Sequence, residues 1–157
     1  MVELTTAFLT ALQAAGIHAR AAKSAELSPR LEGSAVAVSV AELTLDPGGF
    51  CDYLGIHEGQ ELYGRRLRAK MRLDVLSPTA QGAGACRTAV DAACAVLAGG
   101  IEGVSITAIT SRAPAYDKVG DCFCAAIEAD CHGWLCAAPM DTDDGLLEHF
   151  ILKGALT

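Results

Sequence analysis

The stretch that decides the fold is residues 65–75, whose sequence is RRLRAKMRLDV. Apolar and charged side chains alternate along it. Because successive side chains of a β-strand point to opposite faces of a sheet, the alternation predicts a strand with one face on a hydrophobic core and the other in solvent. The solvent-facing side is a row of cations, which we name the basic stripe: Arg66, Arg68, Lys70 and Arg72.

The basic stripe is unusual because the chain as a whole is acidic. Its 157 residues carry a formal net charge of -7, and 52% of them are hydrophobic. This length and composition are typical of one globular domain, so we expect a single domain over residues 1–157. The negative total disfavours general attraction to nucleic acid or to an anionic membrane. An anionic partner would have to bind a local patch.

The apolar segments and the cysteines indicate the cellular compartment of the protein. No apolar run approaches the roughly 20 residues that cross a bilayer. The first residues include Glu3 and lack the basic start of a secretory signal. We therefore expect a cytoplasmic protein in which the seven cysteines are reduced and behave as small hydrophobic side chains.

The segments before the basic stripe predict a helix, a strand or extended arm followed by a loop at residues 17–33, a central strand, and a long loop. Residues 1–15 have apolar side chains at helical spacing, and Gly16 supplies a stop. Residues 34–43 are rich in valine at alternate positions, which is typical of a strand. Residues 46–60 have the proline and glycine density of a loop.

The segments after the stripe predict a second helix and several strands. The helix lies within residues 84–100 and is closed by two glycines. We then expect a strand at 103–111, a turn region at 112–120 and two strands within 121–137 joined at the dipeptide HG. Residues 146–156 could form a last strand or a short helix, and we favour the strand. The fold class predicted by this order is α+β, with a single mixed, mainly antiparallel sheet and two amphipathic helices packed on one face.

Two clusters outside the stripe suggest chemistry. Four cysteines, namely Cys122, Cys124, Cys131 and Cys136, invite a zinc site, but structural zinc usually takes two close C-x-x-C pairs on turns. Asp52, His57, Glu58 and Glu61 form a second cluster that could bind metal or perform acid–base work, although polar residues of this kind are also ordinary in a solvated loop. We expect no metal, no cofactor and no catalytic residue.

The order of the segments and their residue patterns resemble those of a known protein family. They include AVAVSVAELTL (35–45), LYGRRLRAKMRLDVLSP (62–78), a glycine-led alanine-rich helix, GVSITAITSRAPAYDKVGDCFCAAIEADCHGWL (103–135) and a closing FILKGAL (150–156). This layout resembles the tail terminator and minor tail proteins of tailed bacteriophages and of prophage-derived tail-like particles.

The resemblance implies a non-enzymatic α+β protein that self-associates into a ring, commonly a hexamer. Such a ring caps the tail tube and contacts the head connector, with DNA passing through its lumen as the one nucleic-acid contact. The protein would assemble in the bacterial cytoplasm and reside in the virion tail. The basic stripe would face a neighbouring subunit, the tube or the lumen, with Asp141, Asp143 and Asp144 as acidic counterparts.

Two functions from other classes stay open. One is a small cytoplasmic enzyme that uses Cys51, Cys86 or the Asp52, His57 and Glu58 loop. The other is a nucleic-acid-binding module that uses the basic stripe, which the acidic total and the lack of aromatic residues between the arginines disfavour.

Overall fold

The computed structural model describes residues 2–22, 31–49, 52–57, 59–137 and 150–153. Its two helices are α1 (Val2–Ala14) and α2 (Gly82–Ala98). Its strands are β1 (Ala19–Ala21), β2 (Ala35–Pro47), β3 (Tyr53–His57), β4 (Gln60–Pro78), β5 (Ser105–Ser111), β6 (Ala115–Asp117), β7 (Cys122–Ala137) and β8 (Phe150–Lys153). The fold is therefore of the α+β class, as the sequence predicts.

One mixed sheet contains all eight strands. Its main path is β1-β2-β4-β7-β5, while β3 pairs with β4, and β6 and β8 pair with β7. Only the β1–β2 pairing is parallel among the strand pairs described. The strand predicted from residues 65–75 is the centre of the path and is longer than its alternating segment, at 19 residues.

The core lies on one face of β4 and follows the predicted alternation. Its buried side chains are Leu67, Ala69, Met71, Leu73 and Val75. Across the β4–β7 ladder, Leu73 lies opposite Ile127 and Met71 lies opposite Ala129. These residues belong to one hydrophobic cluster that also contains buried residues of both helices, namely Leu4, Phe8 and Leu12 of α1 and Cys86, Val90, Ala93 and Leu97 of α2. Their spacing of three or four residues places them on one stripe of each helix.

Three local predictions are wrong. Residues 46–60 are not one loop, because β2 continues to Pro47 and β3 pairs with the start of β4. The dipeptide HG does not divide 121–137, because β7 is continuous through Gly133, which lies opposite Leu67. The predicted turn region contains the short strand β6. In each case, pairing with a neighbouring strand outweighs the local turn preference of glycine and proline. The predicted last strand is present as β8.

The two faces of β4 should respond differently to truncation. Leu73→Ala removes a fully buried side chain, so we expect a loss of about 2–5 kcal/mol in the free energy of unfolding. Lys70→Ala removes a side chain from the opposite face of the same strand and should cost less than about 1 kcal/mol. Urea denaturation followed by circular dichroism measures both. Equal losses would contradict the assignment of the two faces.

Candidate functional site: the outer face of the sheet

The candidate site is the face of the sheet opposite the core, which we call the outer face. Arg66, Arg68, Lys70 and Arg72 alternate with the buried residues of β4 and therefore lie on this face. The side chains of Arg68, Lys70 and Arg72 are 54%, 40% and 49% exposed. The structure thus places the four stripe residues together in one accessible row.

Acidic residues of the adjacent strands flank the basic stripe on both sides. On the β2 side, Glu42 lies opposite Lys70 and Asp46 lies opposite Arg66. On the β7 side, Asp130 lies opposite Lys70 and Glu128 lies opposite Arg72. The outer face is therefore a basic strand between two acidic strands. The register of β4 with β2 and β7 places these acidic residues, which are distant in sequence, beside the cations of the stripe.

Three stripe cations have an acidic partner within the same chain. Arg68 makes a two-point contact with Asp46, with Nε 2.7 Å from Oδ2 and Nη2 donating to Oδ1 at 3.0 Å. Lys70 Nζ lies 3.8 Å from Asp130 Oδ1. Arg72 Nε donates to both carboxylate oxygens of Asp74, at 2.9 and 3.2 Å. Exposed pairs of this kind are worth about 0–1 kcal/mol each, since water screens them and ordering the side chains costs entropy.

Arg66 differs from the other three cations. Within the described ranges it has no ion pair, because Asp46, its register neighbour on β2, is held by Arg68. Its register neighbour on β7 is the half-buried Trp134. Arg66 is thus the stripe residue with a charge not offset by a contacting carboxylate in the described part of the chain.

A shallow depression of about 340 Å³ crosses the stripe at Arg68 and Lys70. Its rim carries groups of both signs, including Glu42, Asp130 and His132, together with the hydroxyls of Thr44 and Thr107. Mixed charges at this density suit contact with another polar protein surface more than capture of a small anion.

The outer face is bounded by Gly64. A side chain at this position is excluded, because an ideal Cβ would lie 2.6 Å from the carbonyl oxygen of Leu135 and 3.0 Å from Leu54 Cδ1. Leu54 of β3 thus lies over the backbone of β4 here, and the charged row begins at the next outward position, Arg66. The predicted acidic counterparts Asp141, Asp143 and Asp144 lie outside the described residues.

The second candidate cluster is only partly described. Asp52 accepts a hydrogen bond from Arg65 Nε at 2.9 Å and one from the backbone N–H of Gly48 at 3.4 Å. These contacts hold the turn between β2 and β3 and occupy the carboxylate. His57 is described by its backbone, as the last residue of β3, and Glu58 lies outside the described residues. The described geometry therefore gives Asp52 a structural role.

The cysteines that the structure describes do not form a metal site. Among the described residues, no group of three or more histidine, cysteine, aspartate or glutamate side chains is arranged to hold a metal ion. Cys131 lies in the core cluster, whereas Cys122 and Cys124 occupy positions of the opposite alternation on β7. Cys51 lies outside the described residues.

The pKa values of two buried thiols are raised, which lowers their reactivity. Burial raises the pKa of Cys131 to about 12, with a further contribution from the negative charge of Asp130. Burial also raises the pKa of Cys86, and the neighbouring thiols of Cys124 and Cys122 act in the same direction. Because the thiolate is the nucleophile, neither residue is prepared to attack a substrate at neutral pH.

Comparisons with known proteins assign no family. No protein-family model matches the chain, and a search of curated proteins gives no significant match. In the part of the chain that the structure describes, no helix is both long and apolar enough to span a bilayer.

The local sequence pattern does not predict the acidic strands beside the stripe. The local pattern predicts a loop at Asp46 and divides the segment that contains Glu128 and Asp130 into two strands. A usable signal was present, since Glu128, Asp130 and His132 occupy alternate positions of β7. That alternation would have placed them on one face, although not beside β4.

The thiol chemistry can be tested by alkylation. At pH 8 we expect iodoacetamide to modify Cys86 and Cys131 of the folded protein at least about tenfold more slowly than free cysteine, because both are buried and their pKa values are raised. Peptide mass spectrometry over time measures each site, and protein unfolded in urea is the control in which the protection should vanish. Modification of Cys86 faster than free cysteine would favour the enzyme alternative.

Proposed function

We propose that this chain is a non-enzymatic structural protein that associates with copies of itself through the outer face of its sheet. The assembly we infer is a ring that caps the tail tube of a phage or prophage-derived tail and contacts the head connector. The observation that supports self-association is that the basic strand β4 lies between two acidic strands on an accessible face. The identity of the particle rests on the sequence resemblance.

The proposal takes both helices to lie on the same face of the sheet. It is supported by the shared hydrophobic cluster, in which the helix residues Phe8 and Val90 occur with the core-side residues of β4. With the helices on that side, the outer face would be left open over β2, β4 and β7. A broad face of paired strands is a rigid surface, which limits the entropy lost on association.

The ion pairs of the outer face suit exchange between subunits. Each is exposed and weak, so replacing the Arg68–Asp46 or Lys70–Asp130 contact by an equivalent contact to another copy costs little. Arg66, which has no ion pair within the described ranges, supplies a cation for such a contact. The outer face carries both cations and carboxylates. The cations of one copy can therefore face the carboxylates of another copy.

Nucleic-acid binding remains the second candidate. One observation favours it. The half-buried Trp134 lies beside Arg66 on the outer face, where a base could stack on its ring. The flanking carboxylates oppose it, because phosphate groups would have to displace Asp46 and Asp130 from the cations. Self-association meets the same competition, but each displaced carboxylate can pair with a cation of the other copy.

Charge reversal in the stripe tests the proposed interface. The double variant Arg68→Glu/Arg72→Glu should abolish assembly while the monomer stays folded. Positions 68 and 72 then carry the same charge as the carboxylates of the outer face and repel those of another copy. Sedimentation velocity measures the mass, and circular dichroism with thermal unfolding checks the fold. We expect Arg68→Gln/Arg72→Gln to weaken assembly less, since it removes attraction without adding repulsion.

The matched control is Arg87→Glu/Lys118→Glu, which makes the same change in net charge at exposed positions away from the stripe. It should assemble as the unmodified chain does. An assembly that survives the stripe variant, or that is lost equally in the control, would remove the stripe from the proposal. Salt-sensitive binding of single-stranded DNA that depends on Arg66 and Trp134 would instead support the second candidate.

A further inference from the structure

The strand β5 forms a sheet edge with little of the usual protection. It ends the path β1-β2-β4-β7-β5, and no other described strand pairs with its outer side. Its sequence, SITAITS, has no charged residue and no proline. An edge strand exposes unpaired N–H and C=O groups, and natural proteins normally block such an edge with charges, proline, bulges or a covering element. β5 is therefore suited to pairing with a further strand.

The opposite edge of the sheet is protected. β1 pairs with Val36–Val38 of β2, and beyond that contact β2 carries a bulge between Val40 and Glu42. Asp46 and Pro47 follow near its end. Charge, irregularity and proline each oppose strand addition at this edge. The two edges thus differ in chemistry.

β5 has one bulge of its own, between Ile106 and Ala108. The hydroxyl of Thr107 donates to the carbonyl oxygen of Asp130 at 3.2 Å, so the side toward β7 remains satisfied there. From Ala108 to Ser111 the register with β7 is continuous. This half of the strand offers a regular outer edge.

The ends of β5 carry opposite charges. Glu102 precedes the strand and is exposed, and Arg112 follows it with its side chain 76% exposed. Among the described residues, the ion pair of Arg112 is a 3.9 Å contact with Glu128. In an antiparallel pair of two β5 strands centred on Thr107, Arg112 of one copy lies opposite Glu102 of the other. Two-fold symmetry makes this complementary contact twice.

We propose that two copies of this chain pair through β5, antiparallel and about a two-fold axis, to form one continuous sheet. The occupant of the edge is a second copy because the strand is self-complementary: its centre is uncharged and its two ends are of opposite sign. A two-fold axis normal to the sheet keeps both outer faces on the same side, so their charged strands extend one surface. This contact makes a pair and no ring, so it is independent of the proposed function.

A charge exchange tests the pairing. We expect Arg112→Glu alone and Glu102→Arg alone each to raise the dimer dissociation constant about tenfold, because each change places like charges together at two related contacts. The double variant Arg112→Glu/Glu102→Arg should restore the original value, because the pairs are reversed and kept. Sedimentation velocity over a concentration series measures the constant, and thermal unfolding checks each variant.

A block of the edge gives a second test. Ala108→Lys should abolish the dimer, because two lysines would meet near the symmetry axis, whereas Ala92→Lys on the exposed side of α2 is the matched control and should not. Hydrogen exchange should show protection of the β5 amides that rises with protein concentration. A chain that stays monomeric with concentration-independent exchange, or a dimer unaffected by the Arg112 and Glu102 changes, would overturn the proposal. The stripe variant Arg68→Glu/Arg72→Glu should retain the β5 dimer, which separates the two proposals.

Discussion

The structure depends on the strict alternation of side chains along β4. One side of this strand supplies five buried residues to the core, and the other side supplies the four cations of the basic stripe. β4 also has paired strands on both of its edges, with β2 on one and β7 on the other. A register slip of one residue would bury the arginines and expose Met71 and Leu73, so the pairing is fixed by the cost of burying charge as well as by apolar burial.

The same alternation explains a basic segment in an acidic protein. The cations of β4 lie between Asp46 on β2 and Glu128 and Asp130 on β7, and close contacts join Arg68 to Asp46 and Lys70 to Asp130. Opposite charges at cross-strand positions favour this order of strands over one that places acidic strands together. The stripe is therefore a structural element of the sheet first, and its exposed pairs are then available for contact with another copy.

Local pattern predicted much of the fold and less of the site. The alternation in 65–75 and the helical spacing in 1–15 predicted elements that the structure contains, because each signal lies within one element. The division of β7 at HG and the loop at 46–60 failed, because Gly133 and the segment from Tyr53 are held by pairing with β4, a contact between distant parts of the chain. The acidic neighbours of the stripe depend on the same register, which no local pattern encodes.

The central claim is that the outer face joins copies of the chain through its charges. Static light scattering across protein concentration and from about 0.05 to 1 M salt, with negative-stain images of any large species, tests it most directly. We predict a ring-sized species at low salt that dissociates as salt rises, because exposed ion pairs are screened once the Debye length falls to about 3 Å. The mass of a single chain under every condition, or a large species indifferent to salt, would contradict the account.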